Sequence, residues 1–423
     1  MELVNLKHPE ERVSFCQAVK LGIGSDQGLF FPRSFEKLGD VDALLSMGFV
    51  ERSQKVLRHL IGDELPELEQ IVADAFDFGL ELVHAKDSIY ALELFHGPTL
   101  AFKDFGARFL ARVLRAIKDD GPLTILTATS GDTGAAVADA FYGQQGINVV
   151  VLYPKGKISK VQEKMINTLG GNIHAVEIEG IFDECQDLVK QGFLDEPFRK
   201  QVGLNSANSI NIARLLAQVC YYFEAVARLP KDKRGSVVFC VPCGNFGNIC
   251  AGLIAKSIGL ECRFMVACNS NDTIPRYLKS GSYEPHPTIA CMSNAMDISR
   301  PNNWPRVEAL FRMNGWKLAD LRYGTVDDGL TARTMVELKD DYMLEPHAAV
   351  AYRVLRDNIK EGETGIFLAT AHPAKFKADV DRILGIDLPL PDSVKRRMDL
   401  PSQAVVMKND YEALRVCITK NLS

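Results

Sequence analysis

The chain has 423 residues, of which 47% are hydrophobic and 24% charged, so it can bury a large core and excludes disorder or collagen-like repetition. Lys and Arg number 49 against 54 Asp and Glu, a formal charge of −5 that argues against a nucleic-acid scaffold but leaves room for a local basic pocket. The ten scattered cysteines read as reduced thiols, the N-terminus lacks an export signal, and no apolar run approaches a membrane span. A cytoplasmic protein with neither a membrane nor a nucleic-acid partner is expected.

Residues 1–88 read as a mostly helical module, because apolar residues recur at spacings of three and four in 41–45 and 56–61 between breaks at Gly28, Pro32, Gly48 and Gly62. From residue 89 short apolar runs alternate with amphipathic stretches, the pattern of βαβ units around a parallel sheet. Strands are predicted at 123–128, 149–153, 173–178, 237–241, 264–267 and 366–370. Helices are predicted at 105–117, 135–142, 160–169, 212–227, 249–258 and 348–358, with breaks near 88 and 205–215.

Chemistry concentrates in glycine-punctuated segments, most of them at the carboxyl ends of predicted strands, where open α/β sheets bind ligands. In His96-Gly97-Pro98-Thr99-Leu100-Ala101-Phe102-Lys103-Asp104-Phe105-Gly106 a lysine stands among apolar residues at a helix start. It is either a surface lysine or a desolvated amine suited to Schiff-base chemistry. Thr129-Ser130-Gly131-Asp132-Thr133-Gly134 runs from strand to helix, and serves either as a helix cap or as an anion-receiving loop. Asn205-Ser206-Ala207-Asn208-Ser209-Ile210-Asn211, with Arg214 beyond it, suits a phosphate or carboxylate clamp, or equally an extended helix cap. Gly244-Asn245-Phe246-Gly247-Asn248 is a natural phosphate cradle. The overlapping Cys240-Val241-Pro242-Cys243 has no second pair or histidine in register, so no metal site is expected. Lys157, in the turn after a strand, either attracts substrate phosphate or sits in solvent. His372 is a base by residue type but more commonly a turn cap. Walker, zincin and nucleophile-elbow templates are absent.

In this order the lysine segment, Ser130 to Gly134, Asn205 to Asn211, Gly244 to Asn248, Pro301-Asn302-Asn303-Trp304-Pro305-Arg306 and Thr370-Ala371-His372-Pro373-Ala374-Lys375-Phe376 resemble the threonine synthase family. The resemblance starts at Gly28-Leu29-Phe30-Phe31-Pro32, spans nearly the whole chain, and is to the bacterial type.

The resemblance implies a pyridoxal 5'-phosphate enzyme of fold type II, tryptophan synthase β-like. It implies two open α/β domains after the 1–88 module: a large cofactor-binding domain from 89–104 and 216–423, and a small mobile domain from 105–215. It implies a carbon–oxygen lyase that converts O-phospho-L-homoserine and water into L-threonine and phosphate, the last step of threonine biosynthesis, acting as a monomer or homodimer. Lys103 would be catalytic and carry the cofactor as a Schiff base. Gly244, Asn245, Phe246 and Asn248 would bind the cofactor phosphate, and Thr370 its pyridine nitrogen. Thr129, Ser130, Asp132 and Thr133 would receive the substrate, with Lys157, Asn205, Ser206, Asn208, Asn211 and Arg214 as further substrate contacts. Asp132 departs from the Asn of many relatives outside this branch. The same motifs would also serve a phospho-lyase releasing 2-oxobutyrate and ammonia, but the match along the chain favours the synthase.

Overall fold

Six consecutive buried residues at Val237–Pro242, and again at Thr364–Ala369, need cover on both faces, which in an α/β chain means the middle of a parallel sheet. The computed structural model, which describes residues 1–421, builds that sheet and two others. In chain order the strands are β1 (Glu2–Asn5), β2 (Arg12–Ser14), β3 (Phe30–Phe31), β4 (Glu81–Lys86), β5 (Ile89–Glu93), β6 (Leu123–Ala128), β7 (Ile147–Pro154), β8 (Ile173–Glu179), β9 (Leu204–Asn205), β10 (Val237–Pro242), β11 (Arg263–Cys268), β12 (Arg322–Thr325), β13 (Thr364–Ala369) and β14 (Val405–Lys408). The large sheet runs β12-β11-β10-β13-β5-β4, parallel except for β4. A second sheet, β14-β8-β7-β6-β9, is parallel throughout.

The six predicted strands lie within two residues of β6, β7, β8, β10, β11 and β13. Three features differ from expectation. The first 76 residues carry an antiparallel sheet, β2-β1-β3, beside the helices Phe15–Leu21, Val41–Leu45, Phe49–Ile61 and Leu68–Ala75. Its strands of two to four residues are too short for a two-residue alternation to register in sequence. β4 lies inside the expected 1–88 module, yet it forms an antiparallel edge of the large sheet. β14 lies inside the expected large domain, yet it pairs with β8 of the other sheet, Val405 opposite Val176. Leu414 and Ile418 are buried in the same cluster as Val176 and Leu188. The C-terminal segment thereby covers an edge that β8 would otherwise leave open.

The N-terminal part is tied down by a buried charge. Arg52, 3% exposed, pairs with Glu224 of the helix Val219–Arg228, and Arg228 Nε donates to the other Glu224 oxygen at 2.7 Å. Among the described residues no helix is long and apolar enough to cross a membrane.

Candidate active site

Lys103 is placed by the backbone before it. The segment after β5 runs against the end of β13: Phe102 N donates to Thr370 O at 2.9 Å, His372 N to Leu100 O at 3.0 Å, and Ala101 bridges Ala371. Lys103 then opens the helix Lys103–Ile117 beside the carboxyl end of the sheet. Asp104 cinches this turn, accepting from Thr99 N at 2.9 Å and from Thr99 Oγ1. Gly97 is required there because a Cβ would stand 2.5 Å from Asp104 Oδ2.

Burial pushes the Asp104 carboxyl up to about 6, although the Thr99 hydrogen bonds work in the opposite direction. A raised carboxyl stabilises the fold below the unfolded value and loses that contribution as pH rises through the folded one. Stability is therefore expected to fall by about 2 kcal/mol between pH 4 and 6.5 from this group. Urea melts across that range check it, and Asp104→Asn should flatten the slope.

The helix Asp132–Phe141 brings a carboxylate to the amine. Thr129 Oγ1 accepts from Gly131 N at 2.9 Å and Gly134 N at 2.8 Å, closing the turn that aims Asp132 inward. Gly131 holds φ +129°, and a Cβ there would collide with Gln162. Asp132 pairs with Lys103 Nζ at 3.4 Å and with Lys375 Nζ at 2.7 Å, and accepts from Gln162 Nε2 at 2.9 Å. Lys375 is wholly buried, and it also donates to Thr99 O at 2.8 Å.

Burial works against charge on Asp132, but Lys375 and Lys103 outweigh it and hold the carboxyl far below its ordinary range. Burial lowers the Lys103 amine, opposed by Asp132 and reinforced by the positive charges of Lys375 and Arg214. The result is a buried amine biased toward its neutral, nucleophilic form. Lys375 and Gln162 were not singled out as site residues from sequence. The signal available for Lys375 was its position in an apolar Pro-Ala-Lys-Phe turn immediately after β13.

The Gly244 to Asn248 loop follows β10 and leads into the helix Gly247–Ser257, with Phe246 at φ +60° making the turn. Asn303 clamps it from outside, its N and Nδ2 each donating to Asn245 O at 3.1 Å. Asn248 Oδ1 accepts from the hydroxyls of Tyr221 at 2.6 Å and Tyr222 at 2.7 Å. Its Nδ2 is left buried with no partner. An unspent buried donor at the start of a helix fits the phosphate of pyridoxal phosphate.

Gly244 packs against the segment around Ala295 so closely that a Cβ would lie 2.7 Å from Ala295 O. Gly244→Ala is expected to displace the loop and weaken cofactor binding about 10- to 100-fold, from an overpacking cost of 1–3 kcal/mol. Titration of the cofactor-free protein, followed by absorbance, measures it.

The remaining sequence candidates divide. Arg214 is 2% exposed, donates to Ala207 O at 2.7 Å and leaves Nε without a partner; burial pushes it down to about 10. Thr370 is buried beside the Lys103 turn, while Ser130 and Thr133 are half-buried at the start of the Asp132 helix. Asn208 Oδ1 accepts from Thr127 Oγ1 at 2.7 Å, and Ser206 Oγ accepts from Asn208 N at 3.2 Å. Asn205 and Asn211 spend their amides on Val19 O and, for Asn205, Lys20 O, so they bind the N-terminal part to this segment. Lys157 is exposed in the turn after β7, outside the buried cluster. His372 accepts from Ala374 N at 3.0 Å and stacks edge-on to Phe95, which makes it a turn cap. Among the described residues no cluster of His, Cys, Asp or Glu is placed to hold a metal ion.

Comparison with known proteins gives three family matches: "Pyridoxal-phosphate dependent enzyme" over residues 79–370, "Threonine synthase N terminus" over 6–76 and "Threonine synthase, C-terminal" over 348–418. A threonine synthase of Haemophilus influenzae is 60% identical, with 100% of both chains covered. The crystal structure of the Escherichia coli threonine synthase superposes with a TM-score of 0.96 at 56% identity, covering 100% of each chain. A structure of pyridoxal-phosphate-bound threonine synthase from Brucella melitensis gives 0.93 at 33% identity, covering 99% of each.

Proposed function

The chain belongs to the threonine synthase family, and on that premise we propose which of its residues carry the conversion of O-phospho-L-homoserine and water into L-threonine and phosphate. One observation carries the reading: Lys103 and Lys375 both pair with the single buried carboxylate of Asp132, and the buried Arg214 adds its positive charge beside Lys103, so that two cations face one carboxylate around the amine, an excess of positive charge suited to a phosphorylated amino acid.

Lys103, Gly244, Asn245, Phe246, Asn248 and Thr370 would hold pyridoxal phosphate. When bound, it supplies an electron sink for charge developing at substrate Cα and Cβ. The Lys103 amine takes the Cα proton, because burial keeps it neutral and its place at a helix start leaves its end free to swing. A second proton leaves Cβ, after which the Cγ–O bond breaks and phosphate departs. The two protons taken from the substrate return to Cγ and Cα, water adds its hydroxyl to Cβ, and its remaining proton leaves with the phosphate, so the products contain the atoms of substrate plus one water. Asp132 and Lys375 position the amine. Arg214, with Ser206 and Asn208 behind it, holds the departing phosphate, while Thr129, Ser130 and Thr133 receive the substrate carboxylate at the start of their helix.

Incubation of the holoenzyme with O-phospho-L-homoserine tests the reading. Threonine and phosphate are expected in equal amounts. Phosphate accompanied by 2-oxobutyrate would replace the synthase by a lyase, and no phosphate would overturn both.

A further inference from the structure

Away from Lys103, an open groove of about 1030 Å³ lies between the far halves of two helices, Lys103–Ile117 and Asp132–Phe141. Arg108, Arg112, Arg115 and Lys118 line one wall. Two of the groove's three carboxylates are held in ion pairs, Asp77 with Arg108 at 2.6 Å and Asp139 with Arg397 at 3.0 Å, while Asp74 accepts from the neutral Gln70 Nε2 at 2.8 Å and keeps its charge. Arg112, Arg115 and Lys118 have no ion-pair partner among the described residues, and Arg112 donates only to the carbonyl of Arg108, at 3.1 Å. Three unpaired cations on one wall, spaced one turn apart at 112, 115 and 118, match a chain of phosphates. Burial, and then the Arg108 charge beside it, lower the Arg112 guanidinium against the opposing pull of Asp77 and Asp74, so the cations still repel on balance and an anion there relieves that repulsion.

The opposite wall ends in Tyr142, Gly143 and Gln144. Tyr142 is 52% exposed and offers a ring face for stacking, while Gln144 Oε1 is buried with no donor, so it can accept from a base or sugar. We propose that this groove binds a nucleoside di- or triphosphate, with its phosphates on Arg112, Arg115 and Lys118 and its nucleoside against Tyr142 and Gln144. The two walls begin at Lys103 and Asp132, so the groove grips the far ends of the helices whose first residues form the buried ion pair. Arg115 stands about 18 Å along the axis from Lys103. Occupancy is therefore read at the amine. That coupling, though not the binding, rests on the function proposed above.

Calorimetry on the holoenzyme in about 150 mM salt, where loose surface attraction is screened, tests the site with ATP and with tripolyphosphate. ATP is expected to bind saturably with a Kd below about 1 mM, and at least threefold tighter than tripolyphosphate, a margin that Tyr142→Ala removes. Arg112→Gln/Arg115→Gln/Lys118→Gln should lose at least tenfold in ATP affinity, with basal threonine formation retained, and the exposed single change Arg115→Gln should lose severalfold. In the wild type ATP should change the rate of threonine formation at least twofold, and in the triple variant not at all. No binding, or equal binding to the triple variant, overturns the site. Equal affinity for ATP and tripolyphosphate overturns the nucleoside, and binding at the groove without a change of rate overturns the coupling.

Discussion

Lys103→Ala is expected to lower threonine formation by about three to four orders of magnitude while leaving the unfolding midpoint within a few degrees of the wild type. The kinetic loss follows from removing the amine proposed to move the Cα proton, a role of the size that positioned acid–base groups supply. The stability expectation rests on what stays behind. Asp132 keeps Lys375 at 2.7 Å and Gln162 at 2.9 Å, so the buried carboxylate is not stranded. The lysine itself makes only a 3.4 Å contact and a cation–π approach to Phe102 at 4.9 Å. Loss of the lysine-linked chromophore in the holoenzyme would accompany the loss of rate. Turnover near that of the wild type would remove Lys103 from the chemistry, whatever its place in the fold.

Lys375→Met reverses the balance between kinetics and stability. It deletes the nearest cation to a fully buried carboxylate and leaves Thr99 O without its donor. Breaking a buried pair from one side costs about 3–5 kcal/mol. The double change Asp132→Asn/Lys375→Met, which removes both charges, is expected to recover much of that stability. Lys375 has a second effect, because its charge helps depress the Lys103 amine. Without it the amine rises, less of it is neutral near pH 7, and the acid limb of the rate profile shifts to higher pH. A merely structural lysine would lower stability without moving that limb. Denaturant unfolding and a kcat/KM profile, measured on the same preparations, separate the two roles.

Much of this protein was legible in its residues alone. The strands at β6, β7, β10, β11 and β13 are mostly apolar runs buried on both faces, and such runs have few alternatives. The Gly244 to Asn248 loop was readable as a phosphate cradle from its glycines and amides at a helix start, whereas Lys103 was left open by its local pattern and was singled out by the resemblance to the threonine synthase family. Other features depend on contacts between residues far apart in the chain. Lys375 reaches Asp132 only after the 99–103 segment folds against 370–372, and nothing local to residue 375 announces a partner at 132. Asn205 and Asn211 looked as fit for an anion as Asn208, until the helix Phe15–Leu21 brought the carbonyls of Val19 and Lys20 to their amides. β14, four residues with an exposed face, carries no alternation to mark it and exists because β8 offers an open edge. Residue type and spacing therefore determined the strands, the turns and the main loops of the site. Tertiary structure decided which buried charges meet, because a charge's partner is set by where the chain returns and not by its neighbours in sequence.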